Sequence, residues 1–200
     1  MSHSLAIAAG LFSAAAWGVA SLLFAKFLRE HAGERPPSAA GANLFKNCLA
    51  LLVFLCLWPL LGGAWPGAAI SGWLLLSGVL GFALGDSLYF AALPRCGVQA
   101  AAMIGQLNVP LAAVMGYLWN GERLGPLTVL GMFVAMAGVL LVLSDPVPIQ
   151  QRGRSAYYRS GVIFALLNAV TIASGIFLGH VGIEDVDILP GTLMRMAGGI

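Results

Sequence analysis

Charge is what this chain has least of. Lysine, arginine, aspartate and glutamate make up 9% of its 200 residues, where soluble domains carry about 25%. A water-soluble core of this length could not hide a residue set that is 60% hydrophobic. The mean hydropathy of +0.91 accordingly places the chain in a bilayer. Basic runs are missing too, and a net charge of +2 speaks against a nucleic-acid partner. Cysteine is scarce: Cys48 and Cys56 share one apolar run and Cys96 follows another, with no C-x-x-C spacing. That pattern implies neither zinc nor a disulfide framework. His3, His31 and His180 lie far apart at chain or segment ends, so no metal-ligand set and no cofactor is expected. Met1 to Ser4 lacks lysine and arginine, and the apolar run behind it is too long for a signal peptide.

What the chain does have is long apolar runs. The first spans about Leu5 to Leu28, with Ser13, Trp17 and Ser21 as inward candidates and Gly10, Ala14 and Gly18 small enough for close helix contact. After a polar loop with Pro36-Pro37, the second runs from Ala39 to Leu61, and the link G-G-A-W-P-G (62–67) turns the chain. The third covers about Ile70 to Leu93. It carries Gly81 and Gly85 in G-x-x-x-G spacing, and Asp86 on a face with Phe82, Tyr89 and Phe90. The fourth, Val98 to Trp119, has Gln106, Asn108 and a kinking Pro110 near its middle. A fifth runs from Leu127 to Leu143 and a sixth from Ser160 to Gly179. A seventh starts at Ile188 and stops at Ile200 after 13 residues, too few to cross. The chain is therefore expected to be truncated within a helix, its full reading frame about half again as long.

The most informative stretch is A-N-L-F-K-N-C-L-A (42–50), which buries Lys46 in an apolar run. A charge there costs about 2.5–3.5 kcal/mol on insertion scales, so it needs a partner or a watery cavity. Asn43, Lys46 and Asn47 share a helical face by their i, i+3, i+4 spacing. Lys46 and Asp86 each lie 15 residues from the link that joins their spans. In antiparallel helices both then sit about 22 Å from one membrane face. Equal depth favours an ion pair, read either as structural glue or as part of a solute or proton site.

An internal repeat is the second signal. A-N-L-F-K-N-C-L-A (42–50) aligns with G-T-L-M-R-M-A-G-G (191–199), which sets Lys46 against Arg195 at an offset of 149. Gly10 aligns with Gly161 at an offset of 151, which sets Trp17 against Asn168. Five spans in a first repeat, an odd number, bring the second in from the opposite face, as in the inverted repeats of secondary transporters.

The residues F-A-L-G-D-S-L-Y-F-A-A-L (82–93), N-V-P (108–110), W-N-G-E-R-L-G-P (119–126) and G-M-F-V-A-M-A-G-V-L-L-V (131–142) resemble the EamA-type family of the drug/metabolite transporter superfamily. The resemblance implies an all-α, polytopic transmembrane helix bundle of ten helices in two inverted five-helix repeats, about six and a half of them present. Residues 1–144 would be the first repeat, 145–159 the inter-repeat loop and 160–200 the start of the second. It implies no ATP hydrolysis, and a small solute moved across the cytoplasmic membrane by proton coupling or exchange. The expected solute cavity is lined by Lys46, Asp86, Trp17, Asn43, Asn47, Tyr89, Gln106 and Asn108, with Arg195 as a second cation. Two cations and one acid favour a solute with an anionic group, or a zwitterion. Gln106 and Asn108, at i and i+2, should not point the same way.

Other classes fit less well. Ala83-Leu84-Gly85-Asp86 falls one residue short of the G-x-G-D pattern of intramembrane aspartyl proteases, and the other aspartates lie in links. Ser77 and Ser87 have no intramembrane histidine to activate them. No ring of like charges suggests a channel filter. Seven of the ten basic residues lie at links after spans one, three and five, so the positive-inside rule puts the N-terminus outside. The family resemblance implies both termini in the cytoplasm.

Overall fold

The computed structural model describes residues 3–30, 38–144, 155–183 and 186–200. Among them are seven helices and no strand: α1 (His3–Glu30), α2 (Ala39–Leu61), α3 (Ala68–Cys96), α4 (Val98–Asn120), α5 (Pro126–Ser144), α6 (Ser155–Ile183) and α7 (Ile188–Gly198). In a bilayer every backbone polar group must be satisfied internally, and helices do this within a single segment. Five of them are long and apolar enough to cross: α1, α2, α3, α4 and α6. The described apolar stretch of α5 is shorter, Pro126–Leu141, and α7 has 11 residues. The polar link around Pro36-Pro37 and most of the expected inter-repeat loop lie outside the described residues. Helix α6 begins at Ser155, ahead of the expected Ser160. Its first three turns find a partner in Arg95, whose guanidinium carbon lies 5.5 Å from the Tyr157 ring centroid and 4.8 Å from that of Phe164.

Local chemistry sets the helix ends. The Ser38 hydroxyl accepts the Gly41 N–H at 2.9 Å and so caps α2. Between α3 and α4 the chain reverses on Gly97 alone, whose φ of 88° is one that side-chain-bearing residues rarely adopt.

Two helices depart from regular geometry. In α3 the segment Val79–Gly85 is π-helical, and the Asp86 N–H reaches back five residues to the Gly81 carbonyl. In α4 the α-helix stops at Gly105 and restarts at Asn108. Pro110 has no N–H for the Gln106 carbonyl, which instead takes the Val109 N–H at 3.2 Å, a tighter i+3 bond.

Helix α3 is the axis of the bundle, and α6 packs along its whole length. Glycines make that approach possible: a Cβ on Gly175 would sit 2.8 Å from the Gly81 nitrogen, and one on Gly161 would sit 2.7 Å from the Cys96 nitrogen. The G-x-x-x-G spacing of Gly81 and Gly85 is thus a helix-packing device. Ser77 adds a polar tie, its hydroxyl donating to the Gly175 carbonyl at 2.6 Å. Helix α7 closes on α3 in the same manner through Gly78 and Gly198. The apolar core gathers around the second half of α3, where Phe90 and Leu93 meet Ala25 and Leu28 of α1, Ile104 of α4 and Ala165 of α6.

Helix α1 joins this core only through its last third. Gly10 and Gly18 have nothing within 4 Å among the described residues, and Leu11 and Phe12 are exposed. The close contact expected at those small residues is therefore not seen here.

Candidate functional site

The intramembrane charges meet. Lys46 Nζ of α2 donates to Asp86 Oδ2 of α3, the pairing that equal depth implies. The ammonium also lies 5.7 Å from the Trp17 ring centroid and 5.7 Å from that of Phe90. Two aromatic faces and one carboxylate thus replace the water that a bilayer denies it. Asp86 is buried, yet it is among the residues that line a cavity, which Lys46 is not.

That cavity has a volume of about 200 Å³ and is lined by Trp17, Asp86, Tyr89, Gln106, Asn108 and Asn168 over a floor of Ala102, Gly105 and Ile172. Ligand pockets commonly enclose about 300–1,000 Å³, so this one suits a small solute or a few waters. Trp17 and Tyr89 stack at 5.8 Å, and the Tyr89 hydroxyl donates to Ser21 Oγ at 3.0 Å. Ser21 in turn donates to the Trp17 carbonyl at 2.9 Å, which fixes this aromatic wall. Gln106 and Asn108 both line the cavity. The break in α4 between them lifts the helical angle that would have parted their side chains.

Asn43 and Asn47 are nearly fully buried and stand outside the cavity lining. Their amide groups serve the π-helical turn, whose backbone leaves carbonyls without regular helical partners. Asn43 Nδ2 donates to the Phe82 carbonyl at 2.6 Å, the Ala83 carbonyl at 3.1 Å and Ser87 Oγ at 3.0 Å. Asn47 Nδ2 donates to the Phe82 carbonyl at 3.3 Å and to the Gly199 carbonyl at 2.8 Å, tying α2 to both α3 and α7. From the other side Asn168 of α6 donates to the Gly85 carbonyl at 2.9 Å. Three carboxamides therefore hold the turn that sets the position of Asp86. Asn43→Leu removes one of these donors and is expected to cost about 1–3 kcal/mol, the penalty for orphaned buried carbonyls. An unchanged thermal midpoint for the full-length variant in detergent would show that those carbonyls find other donors.

Asn168 is the lining residue that sequence reasoning did not select for the site. A lone asparagine in the middle of an apolar run, set against Trp17 by the internal repeat, was the available signal. Arg195 lies apart from the cavity. Its guanidinium carbon sits 5.1 Å from the Phe82 ring centroid, and its Nε is buried without an acceptor among the described residues. No group of three or more histidine, cysteine, aspartate or glutamate side chains able to hold a metal occurs among the described residues.

The family model described as EamA-like transporter family matches residues 4–144, from the start of α1 to the end of α5. An uncharacterized protein of Pseudomonas aeruginosa, PA1977, is 34% identical over 136 residues, which are 67% of this chain and 44% of that protein. The chain thus spans less than half the length of this relative. No solved structure matches it. A match that takes in all five helices of the first part, and with them both members of the intramembrane ion pair, makes this chain a multi-pass membrane protein that belongs to the EamA-like transporter family.

Proposed function

We propose that the whole protein is a secondary transporter that moves a small metabolite or drug-like solute across the cytoplasmic membrane, and that the cavity beside Asp86 and Lys46 is its solute site. The observation that carries this reading is an intramembrane ion pair whose aspartate lines a cavity shared with two aromatic rings and three carboxamide side chains, while Lys46 itself stands outside the lining. A salt bridge serving only as glue gains nothing from a neighbouring void lined by carboxamides, whereas a solute site needs both charge and donors. Residues 1–144 form the first of two inverted five-helix repeats in this reading, and 160–200 begin the second. The aromatic wall of Trp17 and Tyr89 supplies apolar contact, while Gln106, Asn108 and Asn168 supply amide donors and acceptors.

Coupling follows from the pair. A proton delivered to Asp86 removes its charge and releases Lys46, so the occupant of the cavity and the protonation of Asp86 compete for the same groups. Exchange of one solute for another works through the same competition without a net proton.

The experiment is counterflow with full-length protein in liposomes, using a panel of labelled amino acids and amines. Asp86→Asn is expected to lower the rate about tenfold or more, equivalent to one lost charge-assisted hydrogen bond at about 1.5–3 kcal/mol. Gln106→Ala and Asn108→Ala are expected to raise KM about three- to tenfold with a smaller change in maximal rate, because each removes one neutral hydrogen bond. Wild-type rates in Asp86→Asn and Lys46→Met together would overturn the assignment.

A further inference from the structure

Among the described residues Arg195 is a membrane-embedded cation with no anion. Each described acid is engaged elsewhere: Glu30 with Lys26, Asp86 with Lys46, Glu122 with His180, and Asp187 with the Ala64 N–H. Among the described residues the Arg195 Nε is buried without a hydrogen-bond acceptor.

The surroundings hold the guanidinium flat. The Phe82 ring covers one side at 5.1 Å. Gly179 of α6 lies against it, where a Cβ would come within 3.2 Å of the guanidinium carbon and 3.0 Å of Ser77 Oγ. A side chain at position 179 would press the arginine out of this seat by a few tenths of an ångström. A planar fork fixed between a ring and a glycine backbone suits two-point recognition of a carboxylate or phosphate.

Its depth follows from two helices. Arg195 lies against Gly78 and Ser77 of α3, which puts it about 12 Å along the helix axis from Asp86 at about 1.5 Å per residue. On α7 it is seven residues past Ile188, or about 10 Å from that membrane face, against about 22 Å for Lys46. Arg195 thus stands above the cavity, nearer the face that carries the 62–67 link.

We propose that Arg195 is an anion-binding station of the solute path, taking a carboxylate or phosphate group. The proposal rests on the transporter reading for its place in a path, but the binding itself can be tested separately. Because the Lys46–Asp86 pair is neutral as a whole, Arg195 selects for an anionic group, and the cavity below accepts the remainder of the solute.

The test uses purified full-length protein and two probes, benzoate and inorganic phosphate, with benzamide as the uncharged control. At least one anion is expected to raise the thermal midpoint of the wild type, and benzamide is not. Arg195→Gln should weaken that binding about tenfold, the loss of a charge-assisted contact. Arg195→Lys keeps the charge, loses the fork, and separates a binding defect from a folding defect by retaining part of the affinity. No anion-dependent shift in the wild type overturns the proposal. So does an equal shift in Arg195→Gln, and so does a response to benzamide as large as that to the anions. Anion binding that depends on Arg195, in a protein whose Asp86→Asn variant transports normally, would sink the cavity assignment and leave this one standing.

Discussion

Gly175→Val is expected to prevent α6 from seating on α3 and to leave the full-length protein aggregated in detergent. A Cβ at this position would lie 2.8 Å from the Gly81 nitrogen, 2.9 Å from the Gly81 Cα and 3.0 Å from the Ser77 carbonyl oxygen. All three atoms belong to backbone, so no side chain can rotate aside. Relief requires the two helices to move apart. That separation would break the Ser77–Gly175 hydrogen bond and loosen the Asn168 contact to Gly85 further along the same interface. Overpacking typically costs about 1–3 kcal/mol for a small addition. Gly175→Ala is accordingly expected to lower the thermal midpoint measurably, and the two extra methyl groups of valine to exceed what the bundle can absorb. Fluorescence-detected size exclusion of tagged variants distinguishes the outcomes. A monodisperse Gly175→Val protein with a wild-type midpoint would refute the close α3–α6 packing.

The second large effect concerns the ion pair as structure. Removing one partner of a buried pair leaves an uncompensated charge and costs about 3–5 kcal/mol, whereas replacing both with apolar groups is often neutral. Lys46→Met alone strands the Asp86 carboxylate, and Asp86→Leu alone strands the ammonium between Trp17 and Phe90. Each is expected to destabilise the full-length protein by about 3 kcal/mol, near the low end because the Lys46 side chain keeps 22% of its exposure. The double variant Lys46→Met, Asp86→Leu should lose only about 1 kcal/mol, a coupling of about 5 kcal/mol between the two sites. Its transport should stay abolished. Additive losses in denaturant unfolding would mean that the two charges do not depend on each other. Recovered stability together with recovered transport would reduce the pair to glue.

Much of this architecture was legible before any coordinates. The matched depth of Lys46 and Asp86 needed only the fixed rise of a helix and a short link, and neither can vary much. The seat of Asn43 and Asn47 on the lysine's face was equally forced. Their destination was not. V-L-G-F-A-L-G carries no sign of a π turn, so the carbonyls that receive these amides could not be foreseen, and residues expected to line a cavity turn out to support the turn beside it. The i, i+2 rule applied to Gln106 and Asn108 assumes an unbroken helix, and α4 breaks between them. Pro110 was visible as a source of kinking, but not the side to which the kink would turn its neighbours. Trp17 was placed by pattern alone, and its stack on Tyr89 came from tertiary contact. The free face of α1 remained invisible because small residues announce that a neighbour can approach, never that one does.

The π turn of α3 has a mechanical consequence. One extra residue in the turn unwinds the helix by roughly 100°, a single α-helical step. The half of α3 before Val79 is set by close glycine contacts with α6 and α7, and the half after Gly85 by α6 at Gly161 together with bulky side chains against α1, α4 and the rest of the core. Two such sets of neighbours seldom agree on one rotational setting for a continuous rod. The turn acts as a slip joint: each half keys into its own surroundings, and the mismatch is taken up where three asparagines hold it. Asp86 is the first residue past the joint, so the residue whose charge matters most has its bearing set by α2 and α6 rather than by the helix that carries it.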